Sequence, residues 1–247
     1  MQVSSINYFQ QKTSFKGFER TVYKADRPSL TENILHRNNT WFFRKDMNWT
    51  KFAEILKNKY KATDKIQTFV HACSDGREAY SLLMALDSVL DKKEVEKFCP
   101  IIAKDYDLFA INLAKKGFFE IDNMEKSRID FYTNQRFDEY FEPVPNLENQ
   151  YKPTKKLTDR VVFETGDFTK EYSTLPKENC VLLVRNCWPY FSISSQYTLP
   201  SKLCEHFDKN ATIAIGNFDS ESQHPRDFLK NGFKPALGSP YGNVFEK

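Results

Sequence analysis

The stretch from Ile66 to Leu90, IQTFVHACSDGREAYSLLMALDSVL, constrains the fold more than any other part of the chain. It opens on a short apolar run, Phe69-Val70-His71-Ala72, of the kind that makes a buried strand. Cys73-Ser74-Asp75-Gly76 follows, four small or turn-forming residues. Glu78, Ala79, Tyr80, Leu82, Leu83, Leu86, Val89 and Leu90 then recur at helical spacing. Strand, tight turn and helix in this order predict the first crossover of an open α/β sheet. In such sheets the ligand lies beyond the carboxyl ends of the strands, against a helix N-terminus. With one glycine and no G-x-G-x-x-G, the stretch by itself is equally compatible with an ordinary strand-turn-helix.

The rest of the chain repeats the alternation. Asp46 or Asn48 caps a helix expected from Trp49 to Tyr60, with Trp49, Phe52, Ile55 and Leu56 on one face. Pro100 to Asp105 reads as a second strand with an acid at its end, and Asp107 to Lys116 as a helix stopped by Gly117. Ile121 to Phe141 is mixed and mainly helical; residues 142–160, rich in Pro, Asn and Lys, read as an insertion of loops or short strands. Val161-Val162-Phe163 is a strand running into Gly166-Asp167-Phe168. Cys180 to Val184 is a continuous apolar run, as in a central parallel strand buried on both faces, with Arg185-Asn186 at its carboxyl end. A helix is expected from Tyr197 to Phe207 despite Pro200, then a strand from Ala211 to Gly216 and a closing hairpin between Phe233 and Phe245.

Composition removes several function classes. No apolar run approaches the ~20 residues of a membrane span, and the N-terminus lacks the apolar core of a signal peptide, so membrane insertion is not expected and a cytoplasmic location is. Five cysteines without CxxC or Cys/His ligand spacing read as reduced, mostly buried thiols, and four scattered histidines offer no metal site. The net charge of +3 is the surplus of Lys12, Lys16, Arg20, Lys24, Arg27 and Arg37 over Glu19, Asp26 and Glu32 in the leader, too small to argue for nucleic acid. A monomer is expected.

Five elements in the same order carry a resemblance: Asn38-Asn39-Thr40-Trp41-Phe42-Phe43-Arg44; Cys73-Ser74-Asp75-Gly76-Arg77-Glu78-Ala79-Tyr80-Ser81; Ala103-Lys104-Asp105-Tyr106-Asp107; Val161 to Phe168; and Val184-Arg185-Asn186-Cys187-Trp188-Pro189-Tyr190-Phe191. Together they resemble the CheR-type chemotaxis receptor methyltransferases, which transfer a methyl group from S-adenosylmethionine to glutamate carboxylates and leave S-adenosylhomocysteine. The resemblance implies an open, mostly parallel Rossmann-like sheet with helices on both faces and a small inserted β-subdomain. It implies a methyltransferase domain over residues 38–247, with the insertion at about 142–160 and a basic leader, 1–37, too short for the family's N-terminal helical domain. It assigns the cofactor cleft to Asn38, Thr40, Arg44, Gly76, Glu78, Asp105, Asp167, Phe168, Arg185 and Asn186. Asp105 would take the ribose hydroxyls, with capping of the next helix as its structural alternative; Asp167-Phe168, standing where the family has Asn-Leu, would lie near the adenine. Glu78 also suits the dipole of the first helical turn. Arg44, Arg185 and Tyr190 are the candidates for positioning an acceptor carboxylate, since arginine's planar fork matches one. The expected partner is a protein with exposed glutamates, such as a chemoreceptor. Arg77 and Ala79 replace a Glu and a Pro of the family pattern, and Asn186 to Tyr190 approaches the N-P-P-Y motif of amino and amide methyltransferases. Methylation of a nitrogen, and a binding module without catalysis, therefore stay open as alternatives.

Overall fold

In the computed structural model of the chain, the Ile66–Leu90 stretch forms strand β1 (Gln67–His71), a tight turn and helix α2 (Arg77–Val89), preceded by helix α1 (Trp49–Lys59). The structure describes residues 40–220, 224–239 and 242–247 and, before Thr40, only short strands; of the side chains of Phe218, Ser220 and His224 nothing is said. Asn38 lies outside the described residues. Contacts divide the chain into two units, 1–39 and 40–247. In the first, Gln10–Gln11 and His36–Arg37 pair antiparallel with Val22–Ala25, and Ser14–Phe15 pairs with Phe18–Glu19.

The second unit is built on a seven-stranded sheet. After β1 its strands are β2 (Ile101–Asp105), β6 (Val161–Thr165), β7 (Glu178–Val184), β8 (Lys209–Ala214), β9 (Lys234–Pro235) and β10 (Val244–Glu246), in the order β6-β2-β1-β7-β8-β10-β9. The first five pair in parallel; β10 pairs antiparallel with β8 and with β9, which is the expected closing hairpin. The strand order reverses between β1 and β7, so the crevice for a ligand opens at their carboxyl ends.

Period-2 alternation along β7 explains its apolar run. Val181 and Leu183 enter the core on the α1 and α2 face, while Cys180, Leu182 and Val184 enter the core on the opposite face. That second face is covered by α9 (Ile193–His206) and α11 (His224–Lys230), which supply Leu199, Leu203 and Phe228. Helix α9 begins four residues before the expected Tyr197, because Ser192 caps it by accepting from Ser195 N, and it runs through Pro200. Asn48, not Asp46, caps α1, accepting from Lys51 N. Asp107 caps α4 (Leu108–Lys116), and Gly117 ends it with left-handed backbone.

The segment 142–160 contributes β4 (Phe141–Pro143) and β5 (Gln150–Pro153) to a three-stranded antiparallel sheet completed by β3 (Phe119–Glu120). Its Phe119 and Phe141 pack edge-on to Phe42, with ring centroids 5.3 and 5.1 Å away. Phe42 and Phe43 are both fully buried. Phe43 has φ of 49°, costly for a bulky residue. It is held by its N–H to Ser81 Oγ (2.8 Å) and by stacking on Tyr132 of helix α5 (Asn123–Thr133). The Trp41–Arg44 segment is thereby nailed to α2, α5 and the small sheet.

His71 closes β1 with 2% of its surface exposed, its ring between Phe69 and Phe168. Burial, with Lys104 nearby, pulls it down to about 4 from an ordinary 6.5. A depressed histidine stabilises the fold above pH 6.5, and that contribution is lost as pH falls from 6.5 to 4, because only the unfolded chain takes up the proton. The loss is about 3 kcal/mol, from the size of the shift. Urea unfolding of the wild type and of His71→Phe at pH 7, 5.5 and 4.5 is expected to show the wild type losing about 2 kcal/mol more than the variant by pH 4.5; parallel losses would mean that His71 carries no such linkage.

Candidate active site

The site is organised by Arg185, whose side chain is wholly buried at the carboxyl end of β7. Its two terminal nitrogens each donate to a carboxylate at 2.8 Å, one to Glu78 Oε2 and one to Asp46 Oδ1, and the guanidinium lies over Trp49 at 5.1 Å. The resemblance gives Arg185 an acceptor carboxylate to position; in the structure both of its negative partners come from the chain itself. Burial pushes the Glu78 carboxyl above its ordinary value, although Arg185 opposes this. Burial also pushes Asp46 up, but Arg185, then Asn186 and Arg44, outweigh it and hold Asp46 below its ordinary value.

Asp46 is the hub that the sequence did not reveal. Its second oxygen accepts from Asn186 Nδ2 (3.0 Å) and Asn217 N (3.2 Å), and Arg44 Nε stands 3.7 Å from the first. Asn186 takes left-handed backbone, with φ of 57°. Its amide packs so closely on Gly216 that a Cβ there would lie 2.3 Å from Asn186 Oδ1. The loop is clamped by Asp219, which accepts from the backbone N–H of Asn186, Trp188 (3.0 Å) and Gly216 (2.8 Å). Burial pushes the Asp219 carboxyl up to about 7 despite those three donors.

Beside β1, the turn into α2 has left-handed backbone at Ser74 (φ 52°) and Gly76 (φ 94°). Only glycine suits the second position, where a Cβ would meet the Phe163 ring at 2.6 Å. Gly76 offers α2 no side-chain cap, and Asp75 Oδ1 accepts from Arg77 N in its place (3.3 Å). Buried Asp105 ends β2, its oxygens accepting from Ser74 N (2.8 Å) and Asp107 N (2.9 Å); a carboxylate accommodates about four donors in all. Arg77, which stands in the turn where the resembling family has Glu, is turned away from the cleft. It donates to both oxygens of buried Glu125 at 3.1 Å and lies over Phe42 and Phe119.

Beneath Trp41, between β7, β8 and α5, opens a cleft of about 410 Å³ lined by Trp41, Arg44, Lys45, Asp46, Arg128, Asn186 and Asn217. Of the residues singled out from sequence, Arg44 and Asn186 line it, and Arg185 and Glu78 form its buried support through Asp46. Tyr190, half-buried in the single turn Trp188–Tyr190, packs against the second core and is not among the lining residues. Thr40 is half-buried. Asp167 caps α8 (Phe168–Glu171) by accepting from Thr169 N (3.0 Å) and Thr169 Oγ1 (2.7 Å), and Phe168 is buried against His71, Trp188 and Phe191. The carboxylate expected beside an adenine thus has a structural occupation of its own. Lys45, Arg128 and Asn217 had no sequence signal, and Asp219 only its place three residues after a strand-ending glycine.

Fold and site together define an open α/β protein whose ligand crevice lies at the carboxyl ends of its strands, where the sheet reverses its order. Comparison supplies the family: a model described as CheR methyltransferase, SAM binding domain, matches residues 38–235, and the chain belongs to that family. It is a methyltransferase with S-adenosylmethionine as cofactor. A chemotaxis protein methyltransferase of Borreliella burgdorferi is 26% identical over 229 residues, which cover 87% of this chain and 76% of that protein. A second, Cher2 of Pseudomonas putida, is 26% identical over 204 residues, 76% of this chain and 70% of that one. Among solved structures, a TehB-like SAM-dependent methyltransferase from Corynebacterium glutamicum aligns with a TM-score of 0.41 at 10% identity, covering 80% of this chain and 87% of that one.

The residues fit that cofactor. A buried carboxylate ends β2 beside the glycine turn that opens α2, as suits a ribose held at the carboxyl ends of the strands. Arg185 Nε, buried without a hydrogen-bond partner, shows how much of the polar framework has already been drawn out of water.

Asp46→Asn is expected to lower the free energy of unfolding by about 2 kcal/mol or more, since it leaves a fully buried guanidinium with one carboxylate instead of two. Denaturant titration at neutral pH checks this; an unchanged midpoint would mean that Glu78 alone neutralises Arg185.

Proposed function

We propose that the enzyme methylates an ionised carboxylate, a glutamate side chain on a protein. In keeping with what its relatives are called, a chemotaxis receptor is the class of acceptor. The observation that carries this reading is the charge around the cleft. Arg44, Lys45 and Arg128 line it, and among the described residues Asp46 is the one acid in the lining, already bound to Arg185. Such a surplus suits an acceptor that arrives negatively charged.

The chemistry asks little of the side chains. Bound S-adenosylmethionine supplies a methyl group on a sulfonium, an excellent leaving group. A glutamate with a pKa of ~4.3 is already ionised near neutrality, so no general base is needed. The work left to the protein is positioning. Asp105 and the Cys73–Gly76 turn would hold the ribose, Glu78 and Asp46 would balance cationic charge, and the cleft cations would orient the acceptor. A nitrogen acceptor would want oxygens aimed at its N–H groups. Asn186 instead donates its amide to Asp46 and lays its oxygen against Gly216, which favours the oxygen acceptor.

Two measurements test this. Protein labelled with methyl-tritiated cofactor and then treated with mild alkali is expected to release volatile methanol; label that stays on the protein would point to nitrogen. Asp105→Ala is expected to weaken S-adenosylhomocysteine binding about tenfold or more, the worth of one or two hydrogen bonds to a charged group. Calorimetry with a melting curve on the same sample separates this from unfolding, and unchanged affinity removes Asp105 from the cofactor site.

A further inference from the structure

We infer that Arg128, on α5, is the residue that grips the acceptor carboxylate, an assignment that rests on the carboxylate reading above. The other cations near the cleft are less suited. Arg185 has both terminal nitrogens committed to Glu78 and Asp46. Arg44 stands 3.7 Å from Asp46 and lies over Trp41 at 5.4 Å. Lys45 is exposed and presents a point charge, not a planar fork.

Arg128 differs in each respect. It is half-buried and lines the same cleft as Arg44, Asp46 and Asn186. One terminal nitrogen donates to the Phe42 carbonyl at 3.1 Å, which fixes the guanidinium against the anchored Trp41–Arg44 segment. Among the described residues it makes no ion pair. The acids near it in sequence, and the acid that shares its cleft, are engaged elsewhere: Glu125 holds Arg77, Asp122 caps α5, Asp130 accepts from Phe137 N, and Asp46 holds Arg185. A guanidinium has five N–H donors. A partly desolvated one without a counter-charge is poised for an arriving anion, and a carboxylate matches its fork with two parallel hydrogen bonds. On the same stripe of α5, Met124 and Phe131 stand one turn before and one turn after, 63% and 73% exposed. They give the chain that carries the acceptor an apolar ledge leading out of the cleft.

The test uses the full chain saturated with S-adenosylhomocysteine. The probes are a short alanine-based peptide with one central glutamate and its twin with glutamine there, titrated by NMR. The wild type is expected to bind the glutamate peptide in preference to its twin. Arg128→Gln is expected to weaken the glutamate peptide about tenfold or more, with unchanged affinity for S-adenosylhomocysteine and an unchanged melting temperature; Arg128→Lys keeps part of the binding. If wild type and Arg128→Gln bind the glutamate peptide equally, Arg128 is not the grip although the carboxylate reading stands. A loss of S-adenosylhomocysteine affinity in Arg128→Gln would overturn the assignment in favour of the cofactor's own carboxylate. A wild type that does not distinguish the two peptides would sink the carboxylate reading and this assignment with it. Should Arg128→Gln fail to fold, Arg128→Lys decides, since loss of the fork with retention of charge is expected to weaken the peptide several-fold and an unchanged affinity overturns the assignment.

Discussion

A cation with no access to water must find its counter-charges inside the protein, and Arg185 finds two. One comes from the first turn of α2, the other from the segment just before α1. Three stretches far apart in sequence are thereby fixed at one point, the place where the sheet reverses its order. Asp46 has an oxygen left over after serving Arg185, and with it holds Asn186 and the start of the loop after β8. The floor of the cleft is in this sense a by-product of neutralising one guanidinium.

The opposite wall has its own anchor. Phe42 and Phe43 are buried in an aromatic cluster drawn from α5 and the small antiparallel sheet. The Phe42 backbone joins the Arg77–Glu125 pair by donating to Glu125 Oε1. An arginine in the turn, set against the resembling family's pattern, looks like damage to a cofactor loop. In the folded chain it is a strut between α2 and α5, and the loop retains its left-handed glycine. The reading of a module that has lost catalysis drew partly on that arginine and loses that support here.

How much of this was legible follows from the range of the interactions. β1, β7, α2 and α4 declared themselves because burial imposes a period on neighbouring residues, and a stop such as Gly117 acts within a turn; the cap of α4 is Asp107, where the sequence had offered Asp105 for that part. Asp46 was read as one of two possible caps, since its neighbours in sequence suggest nothing else; its partners Arg185 and Asn217 lie just beyond the ends of two strands far away in sequence. Asp167 was assigned a ligand by resemblance, whereas Thr169 gives it a local partner. Arg128 sits in a stretch without clear amphipathic order, and its bond to Phe42 joins segments that only the fold brings together. The resemblance named Arg44 and Asn186, which line the cleft; which other side chains face it was decided by pairings that a linear motif does not carry.

The three backbone bonds to Asp219 have a mechanical consequence. The loop after β7, through Asn186 and Trp188, and the end of β8, through Gly216, are fastened to one and the same carboxylate. Neither can lift alone without stranding an acceptor in an apolar surround. Opening of either loop is thereby coupled to the other, and their amides are expected to exchange with solvent in step.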